Sequence, residues 1–284
     1  MWLLIGLATC GTAEEPTPPD VEDSTTPIAD VAGPDVETAA ADTSTNTDTP
    51  PPRTNADVKR ALLVRLATEV VTPLYEGIKD SFDALATATG AYAQSVSDSD
   101  LTAAQEAWIS AMDLWQEAEV LQLGPAAAKT TSTGALGIRD EIYSWPLSNF
   151  CRVDQETVEA NYANVESFSE EAVNVRGLDA IEYLLFNESS GNACKSASGI
   201  NKNGDWAALG NDGVRQNRAQ YAHTLAQLVA DEADTLLEAW SGPGGFGETL
   251  ANAGLEGSSF ATAQEALNEV SNALFYIDQA VKDM

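Results

Sequence analysis

From residue 56 to the end of the chain, apolar residues return at steps of three and four, the spacing of one helix face. Leu62, Leu63, Leu66, Val70, Leu74, Ile78, Phe82 and Leu85 predict a first helix running toward Gly90, capped at Asn55 or Asp57 and kinked or split by Pro73. A second helix begins near Ser99 or Asp100, turns Leu101, Trp108, Met112 and Trp115 to one side, and stops at Gly124-Pro125. Residues 125–152 are mixed. Asp154 reads as the N-cap of a helix over about 155–172, and another starts at about 176. A loop over 187–204 leads into a long helix from about 205 to Trp240, ended by Ser241-Gly-Pro-Gly-Gly245. The last helix has the most regular seam, with Phe260, Ala263, Leu267, Val270, Leu274, Ile277 and Val281 alternating steps of three and four. No strand pattern competes. The expected fold is all-α, an antiparallel helical bundle built as two packed bundle-like halves over 56–284.

The first 55 residues follow other rules. Met1 to Ala8 is almost wholly apolar, yet too short to span a bilayer. It reads as an export signal ending at Leu7-Ala8-Thr9-Cys10, a tetrapeptide similar to a lipobox, in which Cys10 would be acylated. No basic residue precedes the run, and Thr9 stands where smaller residues are usual; an ordinary apolar N-terminus is the alternative. Residues 11–55 are rich in Thr, Pro, Asp, Glu and Ala, with no aromatic. This composition is expected to form a disordered acidic tether.

Charge narrows the partners. The chain carries −30. The tether holds ten acids and one base, a net of −9, which leaves −21 on residues 56–284. Nucleic acid is excluded as a partner, because binding its phosphates takes a basic surface. An acidic surface fits solubility or the attraction of cations. Beyond Cys10 there are two cysteines, Cys151 and Cys194, which in an exported chain suggest a disulfide, two free thiols being the alternative.

The stretch "NVRGLDAIEYLLF" (174–186) sets two acids near the start of an apolar helix. Asp179 and Glu182 lie three residues apart on one face, so their oxygens can meet on one cation, while Gly177 lets another backbone come close. A carboxylate site favours hard ions such as calcium or ferric iron over zinc. Acids in a first turn also interact favourably with the helix dipole, and spacing alone leaves both readings open. The one histidine, His223, cannot build a two-histidine zinc motif.

"RGLDAIEYLLF" resembles the signature of the imelysin-like family, Gly-x-His-x-x-Glu followed by Tyr-Leu-Leu. In the same order, "AWISAMDLWQEAEVLQLGP" (107–125), "IRDEIYSWPLSNFCRVDQ" (138–155) and "RAQYAHTLAQLVADEADTLLEAW" (218–240) are similar to its Trp-containing helix, its Arg-x-x-Ile-x-x-Trp-Pro segment and its Arg-x-x-Tyr helix. The resemblance implies a two-part helical bundle with a site between the parts, in exported and often lipid-anchored bacterial proteins. Some serve iron uptake, and a metallopeptidase activity gave the family its name. It places Gly177 and Glu182 on the motif, Glu119 on the glutamate of the Trp-containing helix, and Arg139, Trp145 and Pro146 on the Trp-Pro segment. Asp179 stands where the family has His. That exchange counts against peptidase chemistry, a metal-dependent peptidase being the least expected reading, and leaves four expectations. Asp179, Glu182 and Glu119 hold iron or calcium, or Asp179 pairs with Arg139 or Arg176, or the site has lost its ancestral ligand and serves only structure, or the bundle binds a protein or small ligand in its groove. The expected setting is the cell envelope, on the periplasmic side of the outer membrane or the cell surface. The expected partners are the membrane, through the lipid anchor, and components of iron uptake.

Overall fold

A computed structural model of the chain describes residues 53–129 and 131–275. Cys10, most of the tether, and Ile277 and Val281 of the last seam fall outside the described residues. Among those described there is helix and turn but no strand.

The first helix pattern divides at Pro73. Helix α1 (Asn55–Arg65) passes through a π-helical turn, Leu66–Val71, into α2 (Thr72–Ser95). A proline lacks the N–H that an uninterrupted helix needs, and the wider turn absorbs the gap. The Ala67 carbonyl there accepts from the Thr72 hydroxyl at 2.8 Å and the Trp240 indole at 3.4 Å. The cap is Thr54, ahead of both expected residues. Asp57 is its capping-box partner, accepting from the Thr54 N–H at 2.9 Å while its own N–H donates to the Thr54 hydroxyl at 3.2 Å. Gly90 does not end α2. A Cβ there would lie 3.0 Å from the His223 ring, so this glycine instead lets α2 approach α9 (Asp205–Ser241) closely.

Helix α3 (Asp98–Ala118) is capped by Ser97, and after it only a 3₁₀ turn forms at Gly124–Ala126. Then come α4 (Ile138–Ile142), α5 (Phe150–Glu159), α6 (Val165–Phe168), α7 (Gly177–Phe186), α8 (Gly199–Lys202), α9, α10 (Phe246–Ala251) and α11 (Ala263–Leu274). The helix expected over 155–172 is not formed. Asn149, not Asp154, caps α5, accepting from the Arg152 N–H at 3.1 Å. Ala160 in the left-handed region then breaks the chain into a 3₁₀ turn and α6. Asp154 lies inside α5, fully buried, for a reason given below.

Helices α2, α3, α7 and α9 close a four-membered ring in which each packs on two neighbours. Its core holds Ile78, Phe82 and Leu85 from α2, Trp115 from α3, Ile181 from α7 and Leu225 from α9, all 1% exposed or less. At the C-terminal end of α9, α1 packs on α10 and α11, and Trp240 meets Tyr75 and Phe246 edge-on or tilted at 5.5 and 5.6 Å. Cys151 and Cys194 form a disulfide, tying α5 to the loop between α7 and α8. Among the described residues no helix is long and apolar enough to cross a membrane.

Candidate functional site

The signature turn is built by close backbone contact. Arg176 leads into α7 in extended conformation, its guanidinium 2.6 Å from Glu141 and its Nε donating to the Glu171 carbonyl at 2.8 Å. Gly177 follows at φ +85°, in the left-handed region, and a Cβ there would sit 2.8 Å from the Ile142 carbonyl oxygen and 3.1 Å from Asp179 Oδ1. Both the dihedral and the space demand glycine. Gly177→Ala is expected to cost about 2 kcal/mol of unfolding free energy, the usual size of a strained backbone position, read from the urea midpoint.

This contact sets Asp179 against the segment after α4. The carboxylate is 3% exposed; Oδ2 accepts from the Ser144 hydroxyl at 3.1 Å and from the Ser148 hydroxyl, and Oδ1 from the Ala180 N–H at 3.1 Å. Burial dominates these donors and the more distant Arg139, and raises the carboxyl pKa from 3.8 to about 6. Between those values the folded chain keeps a proton that the unfolded chain releases. The contribution of this group to stability should therefore be greatest below about pH 4, fall through the window from about 4 to 6, and flatten above it. The fall due to this group is up to about 3 kcal/mol, since each tenfold difference in proton affinity is worth about 1.4 kcal/mol. Urea unfolding of the metal-free protein and of Asp179→Asn across that window measures it as the pH-dependent part of the difference.

Glu119, at the C-terminus of α3, faces the same segment. Its oxygens accept from Arg139 Nε at 3.2 Å and Nη2 at 3.3 Å, and from the Trp115 indole at 2.8 Å. Arg139 also reaches Asp140 at 3.1 Å and the Trp145 carbonyl at 3.2 Å, and lies 5.7 Å above the Tyr143 ring. Burial raises the Glu119 pKa, and Arg139 draws it partly back. Of the two arginines expected near Asp179, Arg139 donates to Glu119, Asp140 and the Trp145 carbonyl and acts on Asp179 through its charge, and Arg176 pairs with Glu141. Trp145 and Pro146 share a cis peptide bond; Trp145 itself is 44% exposed.

Glu182, one turn past Asp179, is exposed, its pKa raised by partial desolvation against the protein. The group that links the acids is Tyr143. Burial first, then the charges of Asp179, Glu182 and Glu119, push its phenol up to about 12. Three carboxylates and one guanidinium therefore act on this one phenol. Among the described residues, no three His, Cys, Asp or Glu side chains are gathered for a metal ion. Tyr143, Ser144 and Ser148 escaped the reading of the sequence, although they flank Trp145-Pro146 at three of the nearest hydroxyl positions. His223 lies elsewhere, between α2 and α9 beside Gly90, and is no part of this site.

The arrangement offers hard oxygens, with the Asp179 carboxylate in hydrogen-bond contact with the Ser144 and Ser148 hydroxyls. Asp179, Glu182 and the Tyr143 phenol suit a hard cation by donor type, provided Glu182 turns inward. On the Glu119 side the positive charge is already supplied by Arg139.

No curated protein matches the chain. Its fold is that of two crystal structures, each 17% identical to it. One is of a candidate iron-regulated protein A precursor from Parabacteroides distasonis ATCC 8503, with a TM-score of 0.58 over 78% of this chain and 57% of that one. The other is of an imelysin-like protein from Psychrobacter arcticum 273-4, with a TM-score of 0.56 over 80% of this chain and 63% of that one. This chain thus spans less than two thirds of the length of either. The imelysin family model matches residues 71–284, from the π-helical turn through the whole four-helix ring and the glycine turn of α7. The chain carrying that ring and that turn belongs to the imelysin family.

Proposed function

We propose that this protein binds a hard cation, iron before calcium, at the turn between α4 and α7, and serves its uptake or sequestration in the cell envelope. Asp179 and Glu182 would be the carboxylate ligands and Tyr143 the third oxygen. Glu119, read from the sequence as a third carboxylate ligand, is assigned instead to hold Arg139. The observation that carries this reading is the buried Asp179 carboxylate, poorly matched by hydroxyls and one N–H, beside an exposed acid and a phenol whose ionisation all three acids oppose. A bound cation would offset the charge of Asp179 and Glu182 and favour ionisation of the phenol. The iron-regulated name of one structural relative supports iron. Acylation at Cys10, the tether of residues 11–55, an outer-membrane or surface location, and iron-uptake components as partners complete the proposal. Peptidase action is not part of it, since His223 lies away from the site. Calorimetry of the protein with ferric, ferrous and calcium ions tests it. Binding of iron tighter than about 0.1 mM, worth about −5.5 kcal/mol, is expected, with calcium weaker.

A second reading has its own observation. Arg139 is buried, donates to both oxygens of Glu119 and to the Trp145 carbonyl, and already brings a positive charge to Asp179 and Tyr143, which opposes a cation there. On this reading the bundle is a non-catalytic binder of a protein or small ligand. Metal-independent recovery of one partner from envelope extract, together with failed calorimetry, favours it.

A further inference from the structure

The opposite end of α7 opens a cleft of about 540 Å³, to which all four helices of the ring contribute. That volume lies within the range of small-molecule sites, about 300–1,000 Å³. Leu101, Leu184 and Val214 form the apolar part of its lining, and Thr102, Gln105, Asn187 and Glu188 are among its polar residues. Two arginines of α9, one turn apart, face it from one side.

Arg218 is 4% exposed. Its terminal nitrogens donate to the carbonyls of Asn187, Ser189 and Gly191 at 3.0, 2.7 and 3.0 Å and lie 3.4 Å from Asp154, yet its buried Nε has no acceptor. Arg215 repeats the pattern at the rim. Its Nη2 donates to Asp98 and the side chain also bonds Tyr92, while its Nε is buried without an acceptor. Asp98 is 92% exposed, so its hold on Arg215 is that of a surface pair and weak. What the cleft offers a ligand is therefore the terminal nitrogens of Arg215, held by a surface carboxylate, beside Arg218, whose own terminal nitrogens are taken by carbonyls.

We propose that this cleft binds a small organic carboxylate with an apolar body, Arg215 leaving Asp98 to grip the carboxylate and Leu101, Leu184 and Val214 receiving the rest. A planar guanidinium matches a carboxylate with two parallel hydrogen bonds, and Leu101, Leu184 and Val214 give an apolar body contacts that phosphate cannot make. The site is independent of the cation reading, because it uses none of the same residues.

The test is an NMR titration of the full chain with N-acetyl-leucine, its uncharged amide and inorganic phosphate, each to about 10 mM, enough to detect affinities near 1 mM. With N-acetyl-leucine, signals of residues 98–105, 184–190 and 211–218 and the Arg215 Nε–H should shift, and with the amide they should not. Arg215→Gln should weaken binding about tenfold, the loss of a charge-assisted pair. Asp98→Asn should tighten it, because the competing carboxylate is gone, and a merely structural Arg215–Asp98 pair would not produce that gain. Equal binding of the amide, phosphate binding in place of the carboxylate, or no effect of Arg215→Gln overturns the proposal.

Discussion

Replacing Asp154 by Ala is expected to lower the unfolding free energy by about 3–5 kcal/mol, the cost of leaving one member of a buried ion pair without the other. Asp154 is fully buried, and its carboxylate accepts from the Tyr183 hydroxyl at 2.7 Å, the Ala193 N–H at 2.7 Å and Arg218 at 3.4 Å. Burial raises its pKa, and those three donors pull it back. Arg218 in turn holds the carbonyls of Asn187, Ser189 and Gly191 and lies over the rings of Tyr183 and Trp206 at 5.6 and 5.5 Å. One carboxylate thus joins α5, α7 and α9 to the loop between α7 and α8. Removing it strands a buried guanidinium and a backbone N–H together. Asp154→Asn keeps the acceptor oxygen and should cost less. Urea unfolding of the two variants against the parent, with amide exchange of residues 187–194 as the local probe, measures both effects.

Opening the Cys151–Cys194 disulfide should cost about 4 kcal/mol on the chain-entropy account for cysteines 43 positions apart. The bridge runs beside the Asp154–Ala193 hydrogen bond and fastens the same loop. Unfolding of Cys151→Ser/Cys194→Ser, alone and combined with Asp154→Ala, gives the cost and the coupling. The combined loss should fall short of the sum by about 0.5–3 kcal/mol, because the loop freed by one change has less left to lose by the other.

Asp154 also marks the limit of what periodicity can reveal. An acid three residues past a cysteine and followed by polar residues looks like a helix cap, but the cap is Asn149, five residues earlier. The partners of Asp154 lie 29, 39 and 64 residues away, and no local pattern contains them. Helices with one apolar seam, α2, α3, α7 and the larger part of α9, were legible, because burial of that seam decides both their existence and their facing. Gly90 misled for the same reason as Asp154. A glycine inside a helix pattern reads as a stop, but here the close passage of His223 on α9 sets its identity. At the candidate site the spacing of Gly177, Asp179 and Glu182 was visible, and the Ile142 carbonyl does press on Gly177 as a missing side chain allows. The hydroxyls of Ser144 and Ser148 were not visible. They reach Asp179 only through the turn after α4, and a serine in a mixed segment carries no signal of its own.

The most direct test of the cation-binding claim is calorimetry of ferric iron, delivered from a weak chelator, into the parent protein and into Asp179→Asn/Glu182→Gln. The parent should bind one ion tighter than about 0.1 mM, and the double variant at least about tenfold more weakly, a difference of about 1.4 kcal/mol or more. Equal binding by both proteins, or no binding by the parent, would contradict it.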